Sequence, residues 1–294
     1  MPLRVPPTGA ERDAEPDVPY RAVAPLPSTR DLFASAGWRL IERVGAGGTS
    51  EVWRALDRRG HSVALKIPRS AVPAGEALVR LEREHEALAA AQHGSVVATH
   101  GVIEQRGACA LALEYLPGGD LVALAGAHPR HWLRAARAVY GALAHLHARG
   151  YAHRDVKARN VLFDGRGRAK LIDFASALPL GVAARSGGTT AAHQRSERDP
   201  IVAAADDAYA YAVLLYELFA GRLPYGPAGR SARHAASRTR LASPWREARR
   251  GPTAALAARV RDVLEADPAR APGLSEFADV LESAVAAELE SAEV

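Results

Sequence analysis

Hydrophobic and polar residues change rhythm along this chain. Residues 38–44 and 51–55 read as short strands, joined by the turn Gly45-Ala46-Gly47-Gly48-Thr49-Ser50. Residues 61–67 alternate around Val63, Leu65 and Ile67, the period of a third strand. Residues 76–91 then adopt helical spacing with no glycine or proline. Two short apolar runs, 96–103 and Ala108–Glu114, predict two further strands. The first part of the molecule is therefore a small sheet with one helix.

After Pro117-Gly118-Gly119 the pattern turns helical. Residues 131–149 place Leu133, Ala136, Val139, Tyr140, Leu143 and Leu146 on one face of a helix. Val161–Phe163 and residues 169–172 flank Gly165 and Gly167 and predict a small hairpin. Residues 206–220 are apolar nearly all round, the pattern of a buried helix. Residues 253–266 and 274–289 are amphipathic, whereas 226–252 are rich in Arg, Ser and Pro and show no period. Residues 1–36 are rich in proline with mixed charge, and they read as a disordered or loosely docked extension, with order expected from Trp38.

Composition narrows the picture. The chain carries 38 Lys+Arg against 33 Asp+Glu, for a formal net charge of +5. No stacking motif or metal knuckle accompanies that charge, which weighs against nucleic acid as the partner. Its one cysteine, Cys109, forms no internal disulfide and suits a reducing, cytoplasmic compartment. No apolar run approaches the ~20 residues of a membrane span. The alanine- and arginine-rich composition has the look of a GC-rich bacterial genome. Only three of the basic residues are lysine: Lys66, Lys157 and Lys170. Lysine offers a compact ammonium that the planar guanidinium of arginine does not replace. Two of the three stand in chemical motifs, and Lys170 is compatible with chance placement.

The chemistry concentrates in His153-Arg154-Asp155-Val156-Lys157-Ala158-Arg159-Asn160, followed by Ile172-Asp173-Phe174-Ala175. That stretch supplies a base (Asp155), a cation (Lys157) and two oxygen donors for a hard metal (Asn160 and Asp173). Phosphoryl transfer from ATP requires these four. Mg²⁺ takes oxygen ligands and keeps several waters, so one carboxylate, one amide and the phosphates would complete its shell.

The order of these motifs resembles the eukaryotic-like (Hanks-type) protein Ser/Thr kinase family, including its bacterial members. The resemblance covers residues 38–288. It implies an α+β, two-lobed protein-kinase fold, with a β-rich lobe over 37–116, a helical lobe over 117–288 and a tail at 289–294. It also implies ATP and Mg²⁺ as cofactors and protein substrates as partners.

Carried over residue by residue, the resemblance makes Val44, Gly45, Ala46, Gly47, Gly48, Thr49 and Ser50 the phosphate-covering loop, with Ser50 where the third glycine usually stands. Lys66, in Val63-Ala64-Leu65-Lys66, contacts the α- and β-phosphates. Its partner is one of Glu82, Glu84 and Glu86. Glu84 is chosen, because it lies nine residues before His93 in a stretch like the family's helix-to-strand join. Glu114 and Leu116 become the hinge whose backbone reads adenine, with Val52 and Ala64 packing on its face. Asp155 accepts or orients the hydroxyl proton, Lys157 neutralises the γ-phosphate, and Asn160 and Asp173 hold metal. His153 packs, and Arg154 meets a phosphate on the activation segment.

The departures from the family pattern are Ala175 for the glycine after Asp173-Phe174, Ala158 for a proline, Ala212 for a glycine, and Arg195-Ser196-Glu197 for Ala-Pro-Glu. Ala175 is expected to hinder positive φ at that position. Glu197 is expected to pair with Arg270, and Asp207 to hold the catalytic-loop backbone. Over residues 175–197 the hydroxyls are Ser176, Ser186, Thr189, Thr190 and Ser196. By resemblance Thr189, or its neighbour Thr190 if the alignment shifts by one, contacts Asp155 and Lys157, which leaves Ser186 as the best candidate to place a phosphate near Arg154. The arginines at 230, 233, 238, 240, 246, 249 and 250 border the region where peptide docks in such kinases, and they would attract acidic partners.

Overall fold

The computed structural model describes residues 29–69, 72–105, 107–183, 201–224, 253–266 and 273–290. Five antiparallel strands form the first layer: β1 (Arg39–Ala46), β2 (Ser50–Leu56), β3 (Ser62–Pro68), β4 (Thr99–Gln105) and β5 (Ala108–Glu114), in the order β1-β2-β3-β5-β4. Helix α2 (Ala74–Ala90) crosses between β3 and β4.

Register decides what each face of this sheet does. Val52 pairs with Lys66 and Arg54 with Ala64, and directly opposed residues share a face. Val52, Arg54, Ala64 and Lys66 therefore line one side. The alternate residues Trp53, Ala55, Val63, Leu65 and Ile67 join Ala110 and Ala112 on the other side, in a separate apolar cluster.

That second cluster is closed by a segment the sequence assigned to the loose extension. Residues 29–35 form α1 (Thr29–Ser35), and its Phe33 is 0% exposed within the cluster. The helix ends in a tight turn. Ala36 and Trp38 both donate their N–H to the Phe33 carbonyl, and Gly37 donates to that of Ala34. Gly37 has φ +89°, and a Cβ there would lie 2.3 Å from the Arg58 side chain. Arg58 in turn donates to the Ala36 carbonyl at 3.1 Å. Order thus begins before Trp38, because an open sheet face of this size needs an apolar cover and Phe33 supplies it.

A second difference falls at residues 96–98. The sequence run 96–103 predicts one strand, but β4 starts only at Thr99. Val96 and Val97 are buried in the larger core, and Val97 donates its N–H to the Leu171 carbonyl at 3.0 Å. They leave the sheet because they serve the helical lobe instead.

In that lobe, α3 (Pro129–Ala148) begins two residues earlier than its apolar pattern predicts, with Pro129 at its first position and the His128 ring accepting from Arg130 N. It buries Trp132, Leu133, Ala136, Val139, Leu143 and Leu146. Short strands follow: β6 (Tyr151–Ala152), β7 (Val161–Phe163), β8 (Ala169–Leu171) and β9 (Leu178–Pro179), paired β6 with β9 and β7 with β8. Helix α4 (Ala204–Ala220) is buried along nearly its whole length, as its apolar sequence requires. It packs with α3 and α5 (Ala254–Glu265), and α6 (Ala278–Glu290) packs against α3 and α5. Tyr211 of α4 donates its hydroxyl hydrogen to the Ala136 carbonyl at 2.9 Å, which fixes α4 to α3.

Phe33→Ala should destabilise the β-rich lobe by roughly 3–5 kcal/mol, the usual range for deleting a buried aromatic ring. Urea unfolding followed by tryptophan fluorescence is apt, since Trp38 and Trp53 flank the ring's cluster. A change below about 1 kcal/mol would mean that α1 does not seat on the sheet.

Candidate active site

Three elements converge on Lys66. Its strand, β3, points it to the inner face of the sheet. Helix α2 presents Ala77, Leu81, Glu84 and Leu88 on its buried face, so Glu84 is the one acid among apolar neighbours, 3% exposed. Glu82 and Glu86 are exposed. Lys66 Nζ donates to Glu84 Oε1 and Oε2 at 2.7 and 2.8 Å, and to Asp173 Oδ1 at 2.8 Å. Of the three acids weighed from sequence, Glu84 is thus the one that meets Lys66.

The charges in this cluster are not equivalent. Burial pushes the Glu84 carboxyl up, and Lys66 only partly counters it. Burial also works against Asp173, but Lys66, His153 and Lys157 together hold it below the ordinary carboxylate range. For Lys66 burial opposes the charge, and the two carboxylates outweigh it and raise the ammonium. Asp173 is the most open of the three, with its side chain 39% exposed.

The second cluster is built on the catalytic-loop backbone. Asp155 Oδ2 accepts from Lys157 Nζ at 2.6 Å and from Asn160 Nδ2 at 2.9 Å. Asn160 Nδ2 also donates to the Asp155 carbonyl at 2.8 Å. With the amide nitrogen so committed, Asn160 presents its oxygen to the site. His153 is fully buried. It accepts the Asp155 N–H at Nδ1, 3.2 Å, and meets the Ile172 carbonyl at Nε2, 3.0 Å. The proton therefore sits on Nε2, and the ring is a spacer between the two clusters. It packs edge-on against Phe174, with centroids 4.7 Å apart.

Asp207, at the start of α4 and fully buried, fixes this loop. Its Oδ2 accepts from His153 N at 2.7 Å and His147 Nε2 at 2.9 Å, and its Oδ1 accepts from Arg154 N at 2.7 Å. Arg154 has φ +68°, a conformation L-residues adopt at a cost, and the carboxylate holds it there. The Arg154 guanidinium donates to the Ser176 carbonyl at 3.4 Å. His147 escaped the sequence reading, because nothing in its spacing distinguishes it from His145.

Asp173 is the other non-glycine residue with positive φ among the described residues, at +63°. Ala175 is not. It lies inside the short 3-10 turn Phe174–Ser176, so alanine in place of glycine carries no backbone strain here. The left-handed residue here is the aspartate two positions earlier.

The loop Gly45–Ser50 is the tip of the β1–β2 hairpin, closed by Gly47 N–H to the Ser50 carbonyl at 2.8 Å. None of Gly45, Gly47 and Gly48 has positive φ. A Cβ at Gly48 would meet nothing within 4 Å, and at Gly45 or Gly47 only ordinary contacts. The protein's own packing does not require these glycines. A phosphate group approaching the backbone would. Arg43 bridges the base of the hairpin by donating to Glu51 Oε1 at 3.0 Å.

The hinge follows β5. Glu114 commits its N–H to the Ala98 carbonyl at 2.9 Å and its carboxylate to Lys170 and Ala98 N–H. Its N–H is therefore committed to the segment before β4, and the expected backbone role falls to its carbonyl. Leu116 makes no backbone hydrogen bond among the described residues and offers both N–H and C=O. Arg54 stacks over the Tyr115 ring at 5.2 Å, at the outer edge of the face carrying Val52 and Ala64. Ser186, Thr189, Thr190, Ser196, Glu197, Arg270 and the arginines from 230 to 250 lie outside the described residues. Among the described residues no helix is long and apolar enough to cross a membrane.

The donor set fits a nucleotide with a hard divalent cation. Asn160 offers an amide oxygen, Asp173 a half-exposed carboxylate, the hairpin tip the N–H groups of Gly48 and Thr49, and Leu116 a donor and acceptor that make no backbone bond among the described residues. Comparison with known proteins agrees. A protein kinase domain model matches residues 38–265. The chain is 38% identical over 205 residues to CBL-interacting protein kinase 4 of Oryza sativa subsp. japonica, across 64% of this chain and 45% of that protein. It is 35% identical over 213 residues to serine/threonine-protein kinase PknL of Mycobacterium tuberculosis, across 67% and 53%. To serine/threonine-protein kinase PrkC of Bacillus subtilis it is 28% identical over 212 residues, across 65% and 31%. The matched segment spans roughly a third to a half of these relatives. This chain belongs to the Hanks-type protein kinase family.

The pair formed by Lys66 and Glu84 sets a pH expectation. Glu84 has its folded value raised above the ordinary 4.5, so acidification protonates it before Asp173. The fold loses nothing from Glu84 in that window, because a raised acid binds its proton more tightly when folded. Asp173 has the opposite sign, and its contribution is present above the ordinary 3.8 and lost as pH falls through its lower folded value. Transfer activity should therefore decline in acid before the melting temperature does. Glu84→Gln should lower activity at neutral pH and flatten that acid limb. An unaltered limb in the variant would assign the titration to another group.

Proposed function

We propose that this chain is an Mg²⁺- and ATP-dependent protein kinase acting on serine or threonine hydroxyls. The observation that carries the reading is the double constellation around Lys66 and Asp155. Every member of the chemical set expected from sequence stands within hydrogen-bond reach of another member. In this reading Lys66, held by Glu84, contacts the α- and β-phosphates, and the glycine hairpin covers them. Asn160 and Asp173 would hold the cation, which neutralises charge on the phosphates when bound. Asp155 orients the acceptor hydroxyl, and Lys157 meets the γ-phosphate. Lys157 lies two residues after Asp155, as in kinases of Ser/Thr type, and PknL and PrkC carry that activity in their names.

The finer points rest on sequence. One cysteine, buried in β5, suits a reducing compartment, and we propose a cytoplasmic setting in a bacterium with a GC-rich genome. We take residues 37–288 as the kinase domain. The seven arginines between 230 and 250 would favour acidic flanks on the substrate by long-range attraction that salt screens. A peptide array at low and high salt tests this. Indifference to flanking charge would reduce the cluster to codon usage.

Asp155→Asn should keep the fold and ATP affinity and lose transfer by roughly 10²–10⁴-fold, the usual worth of a positioned base. Binding of ATP by calorimetry, together with incorporation of labelled phosphate into a mixed protein substrate, measures both. Near-normal transfer by this variant would remove Asp155 from its role. Binding without transfer in the unaltered protein, across all acceptors, would leave an ATP-binding regulatory module.

A further inference from the structure

Two of the three lysines, Lys66 and Lys157, stand in the site. The third, Lys170, lies on β8, three residues before Asp173, and is 8% exposed. Its ammonium donates to Glu114 Oε2 at 2.7 Å. That same oxygen accepts the Ala98 N–H at 3.1 Å, while Glu114 N–H returns to the Ala98 carbonyl at 2.9 Å. The next residue on β8 continues the bonding. Leu171 donates to the Ser95 carbonyl at 2.8 Å and accepts from Val97 N–H at 3.0 Å. Ile172 N–H then donates to the Asn160 carbonyl at 2.9 Å. Residues 95–98, the start of the hinge and the strand that delivers Asp173 are thus one bonded unit.

The unit has a geometric output. Two residues beyond Glu114 stands Leu116, whose backbone donor and acceptor make no hydrogen bond among the described residues. Three residues beyond Lys170 stands Asp173, with its carboxylate half open. A nucleotide that touches both must match the distance between them, and the bond from Lys170 to Glu114 sets that distance across the two lobes. We propose that Lys170 is a positioning residue for the nucleotide. It acts through Glu114 and touches no substrate itself. The inference rests on the ATP-dependent reading above. A chain in which arginine fills nearly every basic position keeps lysine here because the pocket is closed. The ammonium meets one carboxylate oxygen that a backbone N–H already shares, a geometry poorly suited to a planar fork of five donors.

A purely structural bridge would cost stability and leave nucleotide choice alone, and that difference supplies the test. Lys170→Met and Glu114→Gln are compared with the unaltered full chain for the KM of ATP, for kcat at saturating ATP, and for the ratio of ATP to GTP use. Each variant should raise the KM of ATP by about tenfold, on the scale of one charge-assisted hydrogen bond. The preference for ATP over GTP should shrink with it, because the hinge backbone is displaced, and kcat should change by less than about threefold. The double variant should be no worse than either single one, as for two partners in a single interaction. Should Lys170→Met fail to fold, Glu114→Gln, neutral and of the same shape, carries the same measurements. A lowered melting temperature with unchanged KM and unchanged nucleotide preference would overturn the proposal, as would additive effects in the double variant. An unaltered protein that turns over neither nucleotide would instead sink the kinase reading itself, so the two failures are distinct.

Discussion

Everything in this site is arranged around one ammonium placed between two carboxylates. Lys66 comes from the sheet, Glu84 from helix α2 and Asp173 from the end of β8, so a single point charge ties together three elements far apart in sequence. Desolvating such a group is expensive, and a buried pair adds little net stability over apolar residues. Removing one member is another matter, because it leaves Glu84 charged and 3% exposed among apolar neighbours. The triad therefore acts as a constraint. The helix can sit only where its one buried acid reaches the strand, and the segment after β8 only where its carboxylate reaches the same nitrogen.

Backbone strain is distributed by the same logic. Among the described residues two non-glycine residues are left-handed, Arg154 and Asp173, one at the start of the Asp155 loop and one after β8. Conformations of this kind cost on the order of 1–3 kcal/mol and persist only when neighbours over-determine them. Asp207 does so for Arg154 with hydrogen bonds to two consecutive backbone N–H groups, and Lys66 does so for Asp173. His153 links the two through its ring nitrogens, one bonded to Asp155 N–H and the other to the Ile172 carbonyl. The buried histidine thus carries the geometry of one strained residue to the other without entering the chemistry.

Much of this was legible in the sequence, for a physical reason. Phosphoryl transfer demands particular residue types at short fixed spacings, so Asp155, Lys157, Asn160 and Asp173 announce themselves together. The sheet was equally plain, since alternation around Val63, Leu65 and Ile67 has few other readings. What stayed hidden depends on contacts between distant segments. Phe33 sits in a seven-residue helix with one other large apolar side chain, Leu32, too few to show a period. Its role appears only when the outer face of the sheet is seen to need a cover. Val96 and Val97 were read into a strand because β-branched residues suit one, yet tertiary bonds to Leu171 draw them elsewhere. At Ala175 the sequence identifies a missing glycine without saying that Asp173 carries the unusual φ.

Lys170 shows where a compositional signal outruns a motif. Spacing alone says nothing about it, since it falls at the edge of a short hairpin strand. Its rarity says more. All three lysines meet carboxylates at 2.6–2.8 Å, and none is fully exposed. A surface lysine drifts freely to arginine under codon pressure, because either charge is hydrated there. A lysine whose ammonium is enclosed by backbone and a carboxylate has no such freedom, since the guanidinium is wider and brings donors that must all be satisfied. The residues a composition refuses to replace thus mark the positions where shape and charge are fixed together. In this chain those positions are the ammonium between Glu84 and Asp173, the ammonium beside Asp155 and the bond that ties β8 to the end of β5.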